Sequence, residues 1–207
     1  SKSIDLSGLK DATITPNGQF FRTDMQGFLP KMMEEMYQDR KKFKKLMLQA
    51  KQEYENETDD SKKYEIEKRI AKYNNIQLAK KVSLNSAYGA LGSQYFRFYD
   101  LRMALGVTTA GQLSIRWIEG KINGWMNKVL KTESEDYVIA SDTDSIYLNL
   151  GPLVGSIIQQ DSEVTRVISI MDKICEDKIQ PFIDKSYKEL ADYVCAFQQK
   201  MEMKREG

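Results

Sequence analysis

Lys80-Lys81-Val82-Ser83-Leu84-Asn85-Ser86-Ala87-Tyr88-Gly89-Ala90-Leu91-Gly92 is the stretch from which the rest of the sequence is most readily read. At about 100° per residue on a helix, Asn85 lies about 40° round from Lys81, Tyr88 about 20° to the other side, and Gly92 about 20° round. A cation, an amide, an aromatic ring and a glycine therefore share one stripe. A lysine there neutralises phosphate oxygens, Tyr88 offers a flat surface to a base or sugar, and Gly89 and Gly92 allow close backbone approach. The alternative is a helix with a solvated lysine, a core tyrosine and glycines that mark its C-terminal end.

Toward the N-terminus, Pro30 suits a first helical turn, and Met33, Met36, Phe43, Met47 and Ala50 recur near the helical period, which predicts a helix over about 30–52. Arg40 lies four residues after Met36 and Lys44 four after Arg40, so both cations are expected to border that stripe and to point at one ligand. A second helix is expected from Ser61 as N-cap, with Tyr64, Ile66, Ile70, Tyr73 and Leu78 as apolar positions. Between the two helices runs the acidic segment Glu53, Glu55, Glu57, Asp59, Asp60. Basic residues concentrate on the stems: Lys31, Arg40, Lys41, Lys42, Lys44 and Lys45 on one, and seven Lys or Arg across 62–81 on the other. The pattern describes a helical hairpin whose stems meet a polyanion and whose tip faces water, or else two solvated helix faces.

Toward the C-terminus, Gly111, Ile115, Ile118, Ile122, Trp125 and Val129 predict a long structural helix over 106–131. Tyr137-Val138-Ile139-Ala140 and Ile146-Tyr147-Leu148-Asn149-Leu150 then predict two short buried strands flanking Ser141-Asp142-Thr143-Asp144-Ser145. In an extended chain Asp142 and Asp144 point to the same side. Two carboxylates held together repel, and a hard divalent cation such as magnesium neutralises them. A D-x-D pair also occurs in ordinary turns, and the downstream glycine and glutamate of an EF-hand calcium loop are missing.

The chain has 207 residues, 41% hydrophobic and 29% charged, with net charge +1, which suits one sizeable domain or two small ones, and long packed helices with a small antiparallel sheet make the expected class α+β. It contains no histidine, so His-based acid–base catalysis and His-ligated zinc are excluded. Cys175 and Cys195 form no metal or disulfide pattern. No stretch approaches the roughly 18 apolar residues of a membrane span, and no signal pattern opens the chain, which reads as soluble and cytoplasmic.

Lys81, Asn85, Ser86, Tyr88 and Gly89 match the K-x-x-x-N-S-x-Y-G motif of family B DNA polymerases, and Asp142-Thr143-Asp144-Ser145 matches their D-T-D-S motif, in the same order and separation. The segments from Thr15 to Lys44 and from Phe96 to Arg102 resemble the replicative polymerases of large tailed bacteriophages. The resemblance implies a palm-side lead-in over 1–29, a fingers subdomain of two antiparallel helices over 30–92, and a partial palm with a small antiparallel sheet over 93–207. It implies that Arg40, Lys44 and Lys81 contact an incoming deoxynucleoside triphosphate (dNTP). Asn85 and Tyr88 would line the nascent base-pair pocket, with Ser86 and Gly89 against primer–template DNA. Asp144 would be a principal magnesium ligand, Asp142 its neighbour, and Glu206, at the end of an expected strand over 201–206, an accessory carboxylate.

The family holds two magnesium ions with a further aspartate in a D-x-x-S-L-Y-P-S motif. That motif, the K-K-x-Y segment, the thumb and the exonuclease are not in these 207 residues. The chain is therefore expected to be a fragment, inactive alone in template-directed nucleotidyl transfer. It would be either truncated or one half of a split polymerase completed by a second chain. A non-catalytic nucleic-acid or nucleotide-binding module is the alternative, and self-association through an exposed palm edge is expected. A phage origin would place the protein in the host cytoplasm.

Overall fold

The computed structural model describes residues 4–157 and 164–205. The chain divides into two compact units, residues 25–104 and residues 1–24 with 105–207. The architecture is α+β, with long helices and two separate two-stranded antiparallel sheets.

The first unit is built on α1 (Phe28–Asn56) and α2 (Asp60–Leu91), an antiparallel pair joined by three residues. Both helices run further than periodicity predicts, since nothing between Phe28 and Asn56 breaks α1. The second begins at Asp60, not after Ser61: Asp59 is the N-cap, and its carboxylate accepts from the Ser61 N–H at 2.9 Å and the Lys62 N–H at 3.4 Å. Positions 29, 33, 36, 40, 43, 47 and 50 of α1 are shielded, as are 63, 66, 70, 73, 77, 80, 84, 87 and 91 of α2. These steps alternate between three and four residues, the spacing of a two-helix seam. Phe43 and Tyr73 meet across it with ring centroids 6.1 Å apart. Tyr64 and Leu78, read as apolar positions from sequence, lie off the seam and are exposed. At the open end Leu29, Leu91 and Ala104 pack with Met33 and Phe96.

Helix α3 (Leu101–Leu130) starts five residues before the expected position because Asp100 caps it, accepting from the Arg102 N–H at 2.9 Å. The Arg102 guanidinium beside Asp100 holds that carboxyl at about 2, below its ordinary 3.8.

The second unit has its core along α3, but on a face rotated from the predicted seam. Ser114, Ile118, Ile122 and Met126 are buried, while Val129 is exposed. Against them pack β3 (Val138–Asp142), β4 (Ser145–Leu148), α4 (Gly151–Ile157) and α6 (Gln180–Tyr193), contributing Tyr137, Val138, Leu153, Ile183, Tyr187 and Leu190. Helix α5 (Val164–Ile174) continues into α6 through a π-helical turn, Cys175–Ile179. The Trp117 indole N–H donates to the Ser186 carbonyl at 2.9 Å, and Lys121 pairs with Glu189 at 2.6 Å, so α3 and α6 are tied at two levels.

An N-terminal hairpin, β1 (Ala12–Ile14) with β2 (Phe20–Arg22), was not anticipated from the sequence. Its signal is Asn17-Gly18, with Gly18 at φ 80°, a conformation glycine enters freely. The Thr13 hydroxyl donates to the Val194 carbonyl at 2.7 Å, which fastens this hairpin to the end of α6. The expected strand over 201–206 is not formed in its described part, 201–205, where Gln180 instead donates to the Met203 carbonyl at 2.8 Å. Glu206 lies outside the described residues.

Candidate functional site

On α2 the stripe Lys81, Asn85, Tyr88 and Gly92 faces solvent, as do Ser86 and Gly89. The reason is the seam: Leu84, Ala87 and Leu91 point at α1 and turn those positions outward. Gly92 ends the helix, its N–H bonded to the Gly89 carbonyl at 3.2 Å.

On α1 the two cations part company. Lys44 is exposed, but Arg40 does not border the apolar stripe; it occupies a seam position between Met36 and Phe43. Its Nε is buried without a hydrogen-bond partner. The preceding residue, Asp39, accepts from Lys80 at 2.7 Å, an ion pair that crosses from α1 to α2 and lowers the Asp39 pKa. Lys80 also occupies the seam, beside Lys81 on the stripe. A buried N–H left unpaired costs on the order of 1–3 kcal/mol. Arg40→Met, which keeps an apolar stem and removes the orphan, is expected to raise the melting midpoint by about 2–4 °C, as a gain near 1 kcal/mol would. Thermal circular dichroism checks this, and a lowered midpoint would refute it.

The acidic site is the β3–β4 hairpin. Asp142 pairs with Ser145 at its end, leaving Thr143 and Asp144 as a two-residue loop. Thr143 has φ 52°, so the loop is a turn and not the extended chain assumed from sequence; the same-side argument for the two carboxylates does not apply to it. The Thr143 hydroxyl donates to Asp142 Oδ1 at 2.9 Å, and the Ser145 hydroxyl to the Asp142 carbonyl at 3.1 Å. Nor are the strands buried as expected. Val138 is buried, but Ile139 is 69% exposed and both acids are open to water. Ile139 sits in a bulge, since Val138 pairs with Leu148 and Ala140 with Tyr147, and the acids stand at the hairpin's end. Beneath the hairpin lies buried Tyr187, whose hydroxyl pKa is pushed up by burial and by the charge of Asp144.

What holds this hairpin escaped the sequence reading. The Asn123 side chain of α3 accepts from the backbone N–H groups of Tyr137 at 2.9 Å and Val138 at 3.1 Å, and donates to Asp136 at 2.7 Å. One turn on, Asn127 accepts from the Glu135 N–H at 3.0 Å and donates to the Glu135 carbonyl at 2.8 Å. The available signal was two asparagines at i, i+4 in a helix interior, where asparagine is a poor helix former.

Two hard oxygen donors at a hairpin tip suit one magnesium ion completed by water and phosphate oxygens. No group of three or more Asp, Glu, Cys or His that could hold a metal occurs among the described residues. No helix among them is long and apolar enough to cross a membrane.

A model of DNA polymerase family B matches residues 2–191. The chain belongs to that family. It is 30% identical to the DNA-directed DNA polymerase of Escherichia phage RB69 over 231 residues, covering 93% of this chain and 26% of that protein. It is 40% identical over 144 residues to the DNA-directed DNA polymerase of Enterobacteria phage T4, covering 69% of this chain and 16% of that one. Similarity reaches eukaryotes: the DNA polymerase delta catalytic subunit of Candida albicans is 32% identical over 153 residues, 72% of this chain and 13% of the relative. The family B chain thus spans about a quarter or less of the length of these relatives.

Proposed function

We propose that this chain is the part of a DNA-directed DNA polymerase that receives the incoming dNTP and carries the D-T-D-S acids of template-directed nucleotidyl transfer. The observation that carries the reading is the exposed Lys81, Asn85, Tyr88 stripe on a family B chain that also holds Asp142-Thr143-Asp144-Ser145 on a hairpin tip. Residues 30–92 then serve as fingers and 93–207 as part of the palm, with 1–29 leading in on the palm side.

Lys81, Lys44 and Arg40 hold the triphosphate by charge-assisted hydrogen bonds. Arg40 is the most constrained of the three, because its side chain is held in the seam, where its Nε is buried. Asn85 and Tyr88 present an amide and a ring to the nascent base pair, with Ser86 and Gly89 beside the DNA. Asp144, assisted by Asp142, holds magnesium, which when bound supplies charge neutralisation for the attacking and leaving oxygens. Glu206 is proposed as an accessory carboxylate, and two ions need a further aspartate that these 207 residues do not contain in its family motif. Primer extension by the chain alone is accordingly expected to be nil.

The test is calorimetric titration of the chain with dATP and magnesium. Lys81→Ala is expected to weaken binding at least tenfold, and Arg40→Met to weaken it while raising thermal stability. Equal affinity in wild type and Lys81→Ala would sink the reading. Binding that survives without magnesium and is indifferent to Asp144 would favour a non-catalytic nucleotide-binding module.

A further inference from the structure

We propose that Asn123 and Asn127 are positioning residues for the acid-bearing hairpin: two side-chain amides one turn apart on α3 set the register in which β3 starts, and so where Asp142 and Asp144 stand. The inference rests on the metal reading of those two acids.

The hairpin needs such a device. A two-stranded sheet is marginal by itself, and among the described residues β3 pairs only with β4. The bulge at Ile139 further interrupts the ladder between Val138 and Ala140, which weakens the pairing where the strand starts. A slip of one residue would turn Asp142 to the opposite face.

Two amides supply what the ladder lacks. Asn127 makes a two-point match to the Glu135 backbone, donor to carbonyl and acceptor to N–H, a pattern that neither an apolar side chain nor a carboxylate provides. Asn123 accepts from two successive backbone N–H groups, Tyr137 and Val138, and donates to Asp136, which itself accepts from the Val138 N–H at 3.2 Å. The Asn127 amide also donates to the Asn123 carbonyl at 2.9 Å, so the two levels are linked through the helix backbone. Residues 135–138 are thereby indexed to α3 up to the first residue of β3, which anchors the strand that leads through the bulge to Asp142. Asn127 also has partners near the helix end, the Asn123 carbonyl and the Thr132 hydroxyl, which donates to its Oδ1 at 2.8 Å, but the other bonds of the two amides reach residues 135–138, the segment that leads into β3.

The test uses the whole 15N-labelled chain, reading amide hydrogen exchange and the broadening of the 143–145 amide signals by Mn2+. In Asn123→Ala and Asn127→Ala, protection of the hairpin amides is expected to fall at least tenfold while Ile118 and Ile183 keep theirs. The Mn2+ needed for half-broadening is expected to rise at least threefold. The double variant Asn123→Asp with Asp136→Asn exchanges the donor and acceptor and keeps the bonds to Tyr137 and Val138; it should restore both readouts. Unchanged hairpin protection in both alanine variants overturns the proposal. Should those variants unfold, the double variant decides: a folded chain with wild-type protection but without the Mn2+ response also overturns it. Absence of Mn2+ broadening in the wild type would instead defeat the metal reading, leaving amide exchange to decide the register claim.

Discussion

Asp144→Ala is expected to weaken Mn2+ binding at the hairpin tip at least tenfold, read from the same 143–145 amide signals. Tenfold corresponds to about 1.4 kcal/mol, a modest demand for deleting one of the two carboxylates at the hairpin tip. The effect is local because both acids are exposed and their hydrogen bonds stay within the turn. Asp142→Asn is expected to do less, since Asp142 already spends one oxygen on the Thr143 hydroxyl. Without metal, Asp144→Ala should leave the fold intact or slightly steadier, because two like charges near one another disfavour the hairpin. Undiminished Mn2+ broadening in Asp144→Ala would remove the metal assignment. It would leave the triphosphate contacts on α1 and α2 to be judged separately.

Ile122→Ala is expected to destabilise the second unit by about 2–5 kcal/mol, with the melting midpoint falling on the order of 10 °C. Ile122 is 0% exposed and lies in the cluster that joins α3 to Val138 of the hairpin and to Ile183, Tyr187 and Leu190 of α6. The void left by three lost carbons is shared among a helix, a strand and a second helix, none of which can close on it without moving the others. Val129→Ala on the same helix is the control, expected to change stability by less than about 0.5 kcal/mol because Val129 is 45% exposed. Equal losses for the two variants, measured by urea or thermal unfolding, would mean that the core runs along the face predicted from sequence after all.

How much was legible beforehand depended on the range of the interaction. The helical pair was readable because its apolar residues repeat locally, and the D-T-D-S hairpin because a polar break interrupts two apolar runs. Family membership was readable from Lys81, Asn85, Tyr88 and the acids. Periodicity was a poorer guide wherever a partner decides the face. Arg40 was expected to border the stripe and instead sits within the seam, since position 40 faces α2 by the alternation of threes and fours. Val129 was expected in the core, yet α3 buries Ser114, Ile118, Ile122 and Met126, the face that β3, β4 and α6 cover. Ser61 lost the capping role to Asp59, two residues earlier, whose carboxylate reaches two N–H groups.

By itself, then, the sequence determined the helical pair, the long helix α3, the D-T-D-S hairpin, the α+β class and the stripe of Lys81, Asn85 and Tyr88, because these patterns relate residues a few positions apart with no partner needed. Only the tertiary structure decided that Arg40 carries a buried unpaired Nε, that Asp142 and Asp144 stand at an exposed turn, and that Asn123 and Asn127 hold the strand leading to them. Those features arise from contacts across the α1–α2 seam, from a bulge that re-aims the strand, and from side chains reaching the backbone of another element. In each case a partner outside the local window fixes the outcome.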